Sequence, residues 1–239
     1  DEYGQVNVNE LSRYFNVSEV TIRNDLAYLE RKNLLIRARG GAIKTEKASL
    51  DLRFLEKKSK NVKEKEAIGR RAARFIEDGD TIVIDSGTTT REITNHLGRF
   101  SRLTVVTNAL NIASSLADME NITIIMPGGI MRHSILTLVG ATAIDNFKMF
   151  FGDKLFLATD GIDLNLGLSS PDLEEAALKR TMLKMARKII VVADSSKLGK
   201  RHLAVICNIS QIDVLITDSG ISPMYKEAME KMGVEVVVV

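Results

Sequence analysis

The sequence predicts an α/β protein in two parts. An N-terminal winged helix-turn-helix (residues 1–45) is joined by a polar connector (46–66) to a largely parallel α/β sheet domain (67–239). Three observations predict it. Two short amphipathic helices and a glycine-bearing hairpin fill the first 45 residues. From Lys63 onward, helical segments alternate with near-continuous apolar strands. Residues 31–71 concentrate fourteen Lys/Arg against five Asp/Glu, so the rest of the chain carries a net −7 although the total is +2. Such a local surplus of cations attracts polyanions by releasing their counterions. At 239 residues the chain is long enough for two hydrophobic cores. No apolar run approaches the roughly 18–20 residues of a bilayer span. An acidic start without an apolar h-region predicts a cytoplasmic protein. Cys207 is the only cysteine, which excludes an internal disulfide, and its apolar neighbours predict a buried structural thiol. His96, His133 and His202 lack metal-ligand spacing, so no metal site is expected.

In the head, Asn7 followed by Glu10 starts a helix that places Val8, Leu11 and Phe15 on one face. Asn16 tolerates the left-handed backbone of a tight turn, and Ser18 caps a second helix carrying Ile22, Leu26 and Leu29 inward. Helix-turn-helix proteins use this crossing to set the second helix in a DNA major groove. Ser18, Glu19, Thr21, Arg23 and Asn24 then face the DNA, with Arg23 suited to guanine or phosphate and Asn24 to adenine. Residues 34–36 and 42–43 read as strands joined by a turn at Gly40 and Gly41. On this wing Arg37 and Arg39 suit phosphate or minor-groove contacts, and Gly40 lets the backbone approach closely. The plainer alternative is a helical hairpin for protein contacts beside a solvated Lys-rich connector. Leu50, Leu52, Phe54 and Leu55 are too many apolar residues for a fully solvated linker.

Beyond the connector, Ala67, Ile68, Ala72, Phe75 and Ile76 suit a helix. Strands are expected at 81–85, 103–107, 122–126, 155–160, 189–194, 214–218 and 234–239, with helices starting near Thr88 and Asn108. Strands this apolar need cover on both faces, which a largely parallel sheet provides. Ligands of open α/β sheets bind beyond the carboxyl ends of the strands. Four strands here end in an acid: Asp85, Asp160, Asp194 and Asp218. Asp218 reads best as a turn residue. Asp85 leads into Ser86, Gly87, Thr88, Thr89 and Thr90 at a helix start, where backbone N–H groups, hydroxyls and the helix dipole together favour an anion. Without a Walker lysine or a G-x-G-x-x-G motif, a phosphate monoester fits better than a nucleotide, and no cofactor is expected. Thr107, Asn108, Gly128, Gly129, Gly161, Asp163 and Lys197 fall on the same edge, where a lysine would meet phosphate and aspartates would hold hydroxyls. A phosphorylated sugar has that shape.

These residues also resemble a known family. The run VNELSRYFNVSEVTIRNDLAYLERKNLLIRARGGAI is similar to the DNA-binding segment of the DeoR family. Val17, Ser18, Thr21, Ile22, Arg23, Asp25 and Leu26 match its V-S-x-x-T-I-R-x-D-L core, and Arg37, Gly40, Gly41 and Ala42 its closing R-x-x-G-G-A. Downstream, D-S-G-T-T-T, V-V-T-N, P-G-G, D-G-I-D, D-S-S-K-x-G and L-I-T-D resemble the family's sensor domain, which shares its fold with ribose-5-phosphate isomerase. The resemblance implies a homodimer or homotetramer that binds operator double-stranded DNA and changes affinity with a phosphorylated sugar. It also implies a phosphate role for the 86–90 segment and ligand contacts for Asp85, Asp163 and Lys197. Asn24 departs from the family, which commonly has a second Arg there, and the family's helix upstream of Gly4 is not contained in this chain.

A phosphosugar isomerase-like enzyme is the rival reading. It needs a general base and a cation to stabilise an enediolate. Glu175 is a possible base, but the isomerase pattern's lysine has no match in residues 161–173. Glu174 and Glu175 suit the first turn of a helix beginning near Pro171. A sugar-controlled transcription repressor is therefore the expected function.

Overall fold

The computed structural model describes residues 5–31, 34–44, 57–133 and 135–239. The chain divides into two compact units between Lys60 and Asn61. Asn61 and the residues up to Glu66, whose charge read as connector, belong to the larger unit, where they open its first helix. Leu50, Leu52, Phe54 and Leu55 lie outside the described residues.

The smaller unit runs β1 (Gln5–Asn7), α1 (Val8–Phe15), α2 (Glu19–Arg31), β2 (Leu35–Ala38) and β3 (Gly41–Lys44), its strands in the antiparallel order β1-β3-β2. Asn7 caps α1 by accepting the Asn9 N–H. Asn16 ends it in the left-handed conformation, φ 52 and ψ 46, as its short polar side chain permits. Val8, Ile22, Leu26 and Ala42 form the core. Phe15, expected inside, is 60% exposed. It stacks edge-on against Tyr14. The wing turn also differs from expectation. Ala38 pairs with Gly41, so Arg39 and Gly40 make the turn, Gly40 with φ 82. Gly41 sits in β3 because β1 crosses close by: a Cβ there would fall 1.9 Å from the Val6 carbonyl oxygen. Gly41→Ala is expected to cost roughly 1–3 kcal/mol through overpacking, seen as faster amide exchange across β1 and β3.

The larger unit opens with α3 (Val62–Ala72), followed by β4 (Thr81–Ile84), α4 (Thr88–Thr94), β5 (Leu103–Val106), α5 (Leu110–Leu116) and β6 (Ile122–Ile125). A hairpin of β7 (Ile130–Arg132) and β8 (Thr137–Val139) leads to α6 (Ala141–Phe147) and β9 (Gly152–Leu157). Then come β10 (Gly161–Asp163), β11 (Gly167–Ser170), α7 (Leu173–Met182), β12 (Ala186–Val192), β13 (Ala204–Cys207), β14 (Val214–Thr217), α8 (Pro223–Lys231) and β15 (Glu235–Val238). Seven strands form one parallel sheet in the order β15-β14-β12-β9-β4-β5-β6.

Strand residues alternate strictly between two cores. Ile82, Ile84, Phe156, Ile190 and Val192 pack with Ile68 of α3 and Ile93 of α4. Val83, Leu155, Leu157 and Val191 pack with Phe147 of α6, Met182 of α7 and Met229 of α8. This period-2 parity on a doubly covered sheet is why the strands read as unbroken apolar runs. The expected strand at 155–160 stops at Leu157, because the chain turns at Thr159 and Asp160 into a separate antiparallel sheet, β10-β11-β13. Cys207 lies in that sheet, and burial pushes its thiol up to about 12. It is expected to stay unmodified by iodoacetamide at pH 8 in the folded chain and to react on unfolding, since the thiolate is the nucleophile.

Candidate functional site

Two surfaces bear the expected functional residues. The first is the exposed face of α2 with the wing. Ser18 Oγ accepts the Thr21 N–H at 3.1 Å and lies 2.8 Å from the Thr21 hydroxyl, so both hydroxyls serve the helix cap. Glu19 holds the Arg23 guanidinium at 2.7 Å one turn along the helix in an exposed ion pair. Asn24, Arg37, Arg39 and Gly40 are exposed. The Arg37 backbone N–H donates to Glu30 Oε1 at 3.1 Å, tying the wing to the last turn of α2. Val20 was missed by the sequence reading. It is 62% exposed, and its position outside the Ile22, Leu26, Leu29 stripe was the available signal. An apolar side chain at a groove can meet a thymine methyl group.

The second surface is set by topology. From β4 the chain builds outward through β5 and β6, then returns to the other side of β4 with β9 and builds outward through β12, β14 and β15. The strand order therefore reverses between β4 and β9, and ligand crevices of open α/β sheets open beyond the carboxyl ends at such a switch point. Asp85 follows β4 there, and Ala158 follows β9. The Asp85 N–H donates to the Phe156 carbonyl at 3.0 Å, and the Ala158 N–H donates to the Asp85 side chain at Oδ2, 3.1 Å away. Gly87 must lack a side chain because a Cβ would meet that of Ala158 at 2.7 Å.

Strand parity turns Asp85 toward the face covered by α7, where Lys179 Nζ donates to Asp85 Oδ2 and to the Ala158 carbonyl, both at 2.7 Å. Asp85 is 1% and Lys179 5% exposed. Burial opposes the charge on Lys179, but the carboxylates of Asp85, Glu175 and Asp160 more than offset it and hold the ammonium above the ordinary lysine range. Burial likewise pushes the Asp85 carboxyl up, with Lys179 pulling it back. The result is a buried ion pair at the switch point, with further charge close by: Arg132 reaches Asp172 at 2.7 Å and Glu175 at 3.7 Å. Asp172 also caps α7 by accepting the Glu175 N–H, and Glu174 and Glu175 lie in the first turn of that helix.

The other expected edge residues separate into two groups. Ser86, Gly87 and Thr88 are half-buried at the mouth. Thr107 is fully buried and Asn108 2% exposed, and the Asn108 side-chain oxygen has no hydrogen-bond partner among the described residues. Asp194 is buried and Lys197 half-buried in the turn after β12, and Asp160 stands beside Lys179. The second group is occupied by structure. Thr89 is buried, and Thr90, also buried, donates its hydroxyl proton to the Gly87 carbonyl, so the Thr90 hydroxyl serves the helix start. Asp163 accepts the Asn165 and Leu166 N–H groups and the Arg201 guanidinium. Those hydrogen bonds, Arg201 foremost, hold its carboxyl at about 2. Gly161 and Gly129 are glycines for packing: added Cβ atoms would meet the Lys200 carbonyl at 2.5 Å and the Val139 carbonyl at 2.7 Å. Asp218 is the turn residue expected, accepting from Ser195 and Gly220. Among the described residues no cluster of His, Cys, Asp or Glu could hold a metal ion, and no helix is long and apolar enough to cross a membrane.

A helix-turn-helix head and an α/β unit with a charged switch point, in one chain, define the class of one-chain transcription regulators. The DeoR-like helix-turn-helix domain matches residues 1–48, and the DeoR C terminal sensor domain residues 60–219. The chain belongs to the DeoR family of DNA-binding transcription regulators, a family of regulators and not of enzymes. A putative aga operon transcriptional repressor of Escherichia coli O157:H7 is 37% identical over 240 residues, covering 100% of this chain and 89% of that protein. The glycerol-3-phosphate regulon repressor of Escherichia coli K12 is 34% identical, covering 91% of this chain and 86% of that one. Ribose 5-phosphate isomerase A of Methanocaldococcus jannaschii aligns at 15% identity and a TM-score of 0.43, over 59% of this chain and 56% of that one.

Proposed function

We propose that this regulator represses a carbohydrate-pathway operon and changes its grip on the operator when a phosphorylated sugar fills the crevice between the ends of β4 and β9. On the DNA side Val20, Arg23, Asn24 and the methyl group of Thr21 read bases, and Arg37 and Arg39 hold phosphates or the minor groove. On the ligand side Ser86, Gly87 and Thr88 receive the phosphate with help from Lys197. Asp160, Asp194 and Asn108 address hydroxyls. The Asp85–Lys179 pair forms the floor.

The observation that carries the reading is this pair: two opposite charges, buried together where the strand order reverses, which is where open α/β sheets bind ligands. A relative named for a glycerol-3-phosphate regulon supports a small phosphorylated ligand. A homodimer or homotetramer suits the two-fold symmetry of most operators. Regulation follows if the sugar phosphate binds one arrangement of the α/β unit better than the other. The test is a titration of a labelled promoter duplex by the full chain, with glucose 6-phosphate, glucosamine 6-phosphate, fructose 1-phosphate and glycerol 3-phosphate added in turn. At least one is expected to shift operator affinity by roughly 5- to 150-fold. Tight DNA binding indifferent to all phosphorylated sugars would remove the sensing half of the proposal, and indifference to DNA the whole of it.

A further inference from the structure

The connector runs into α3, and α3 is fixed to the ligand edge at two points. At its start, Asn61 is left-handed, φ 53 and ψ 43, and its side chain makes no capping bond to its own helix. Its carbonyl accepts the Lys65 N–H at 3.0 Å and closes the first turn. Its amide Nδ2 instead donates to Asp194 Oδ1 at 2.8 Å, across 133 positions of sequence. The same Asp194 oxygen accepts the Ser196 N–H at 3.1 Å, so one carboxylate holds both the edge turn 195–197 and the beginning of α3. Farther along, a Cβ on Gly69 would come within 2.6 Å of Glu92 Cβ. Glu92 belongs to α4, the helix that starts beside Ser86 and Gly87. α3 therefore touches both edge segments with no slack, and packing this close moves between discrete arrangements instead of deforming smoothly.

The chemistry of the first contact makes it exchangeable. An amide N–H is a neutral donor to a carboxylate, and so is a sugar hydroxyl. A hydroxyl that takes Asp194 replaces one neutral donor by another and leaves no buried acceptor unpaired. We propose that Asn61 is the residue that couples the ligand edge to the connector: a hydroxyl of the bound sugar phosphate displaces its amide from Asp194, releasing the start of α3 and with it the end of the connector. This rests on the reading that the sheet edge binds such a ligand.

Asn61→Gly removes the amide and keeps the left-handed backbone. Asn61→Asp keeps the shape and turns the contact into carboxylate against carboxylate. Both are made in the full chain and assayed by amide exchange over residues 57–72 and by operator titration with the four sugar phosphates named above. In the wild type, the sugar phosphate that shifts operator affinity is expected to speed exchange at Lys65 several-fold. Both variants should show that fast exchange without ligand, and Asn61→Gly should bind the sugar phosphate at least as tightly. Their operator affinity should move less than about 2-fold on its addition, where the wild type moves about 10-fold. Variants that keep the full wild-type shift would overturn the coupling role and leave the sensing reading intact. A wild type that responds to none of the four probes would overturn both. Thermal melts that match the wild type exclude misfolding as the cause of uncoupling, and if one variant melts early the other decides.

Discussion

Lys179→Met is expected to destabilise the α/β unit by about 3–5 kcal/mol, the usual cost of stranding one member of a buried ion pair. For a unit of this size that is a fall of roughly 6–20 °C in the thermal midpoint. The loss comes from Asp85, which would keep the Ala158 N–H and lose the Lys179 ammonium. The pH dependence gives the mechanism away. Burial raises the Asp85 carboxyl in the folded chain, and without Lys179 its largest opponent is gone. A carboxyl whose folded pKa stands above its unfolded value takes up a proton on folding, so folding gains from acid. The variant should therefore recover stability, relative to the wild type, as pH falls from neutral toward the ordinary carboxylate value of 3.8. Adding Asp85→Asn to Lys179→Met should restore much of the loss at neutral pH, since an amide carries no charge to strand. Differential scanning calorimetry at pH 5 and pH 7 on the single and double variants checks this. A Lys179→Met protein equally unstable at both would show that packing, not charge, sets the cost.

Arg23→Ala is expected to weaken operator binding roughly 10- to 100-fold, the loss of one base contact worth about 1–3 kcal/mol. Binding of a sugar phosphate to the other unit should be unchanged. Arg37→Ala should act differently, weakening specific and random duplexes alike and lowering the slope of log affinity against log salt by about one. Titrations of both variants at several salt concentrations on operator and scrambled duplexes distinguish the two roles. If Arg23→Ala weakened both duplexes equally, Arg23 would be a phosphate contact and base reading would pass to Thr21 and Asn24.

Much of the molecule was legible because its signals are local. The αL turn at Asn16, the Ser18 cap and the Ile22, Leu26 spacing each act within a few residues. The parallel strands announce themselves as apolar runs because both faces of the sheet are covered. What failed to show depends on distant neighbours. β1 exists because Val6 pairs with Ala42, and β11 because Leu168 pairs with Cys207; neither segment is apolar enough to stand out. Asp163 looked like a ligand contact by its place after the D-G-I turn, yet its oxygens are filled by the local turn and by Arg201. Lys179 was overlooked although its signal was present, since it interrupts the inward stripe of Ala176 and Met182. A lysine at such a position needs a buried acid opposite, and only the sheet topology names Asp85.

The reversal of strand order at β4 has a consequence for biosynthesis. Ile82, Val83 and Ile84 sit in the middle of the finished sheet, yet their pairing with Lys154, Leu155 and Phe156 must wait until that stretch has left the ribosome. Until then the nascent chain can assemble β4, β5 and β6 only as a half-sheet whose innermost strand is a bare apolar border, the kind of edge that recruits stray strands. Translation pauses that fall after β6 has emerged and before β9 has would prolong that exposure, so the yield of soluble protein should depend on codon speed in that interval more than elsewhere in the gene.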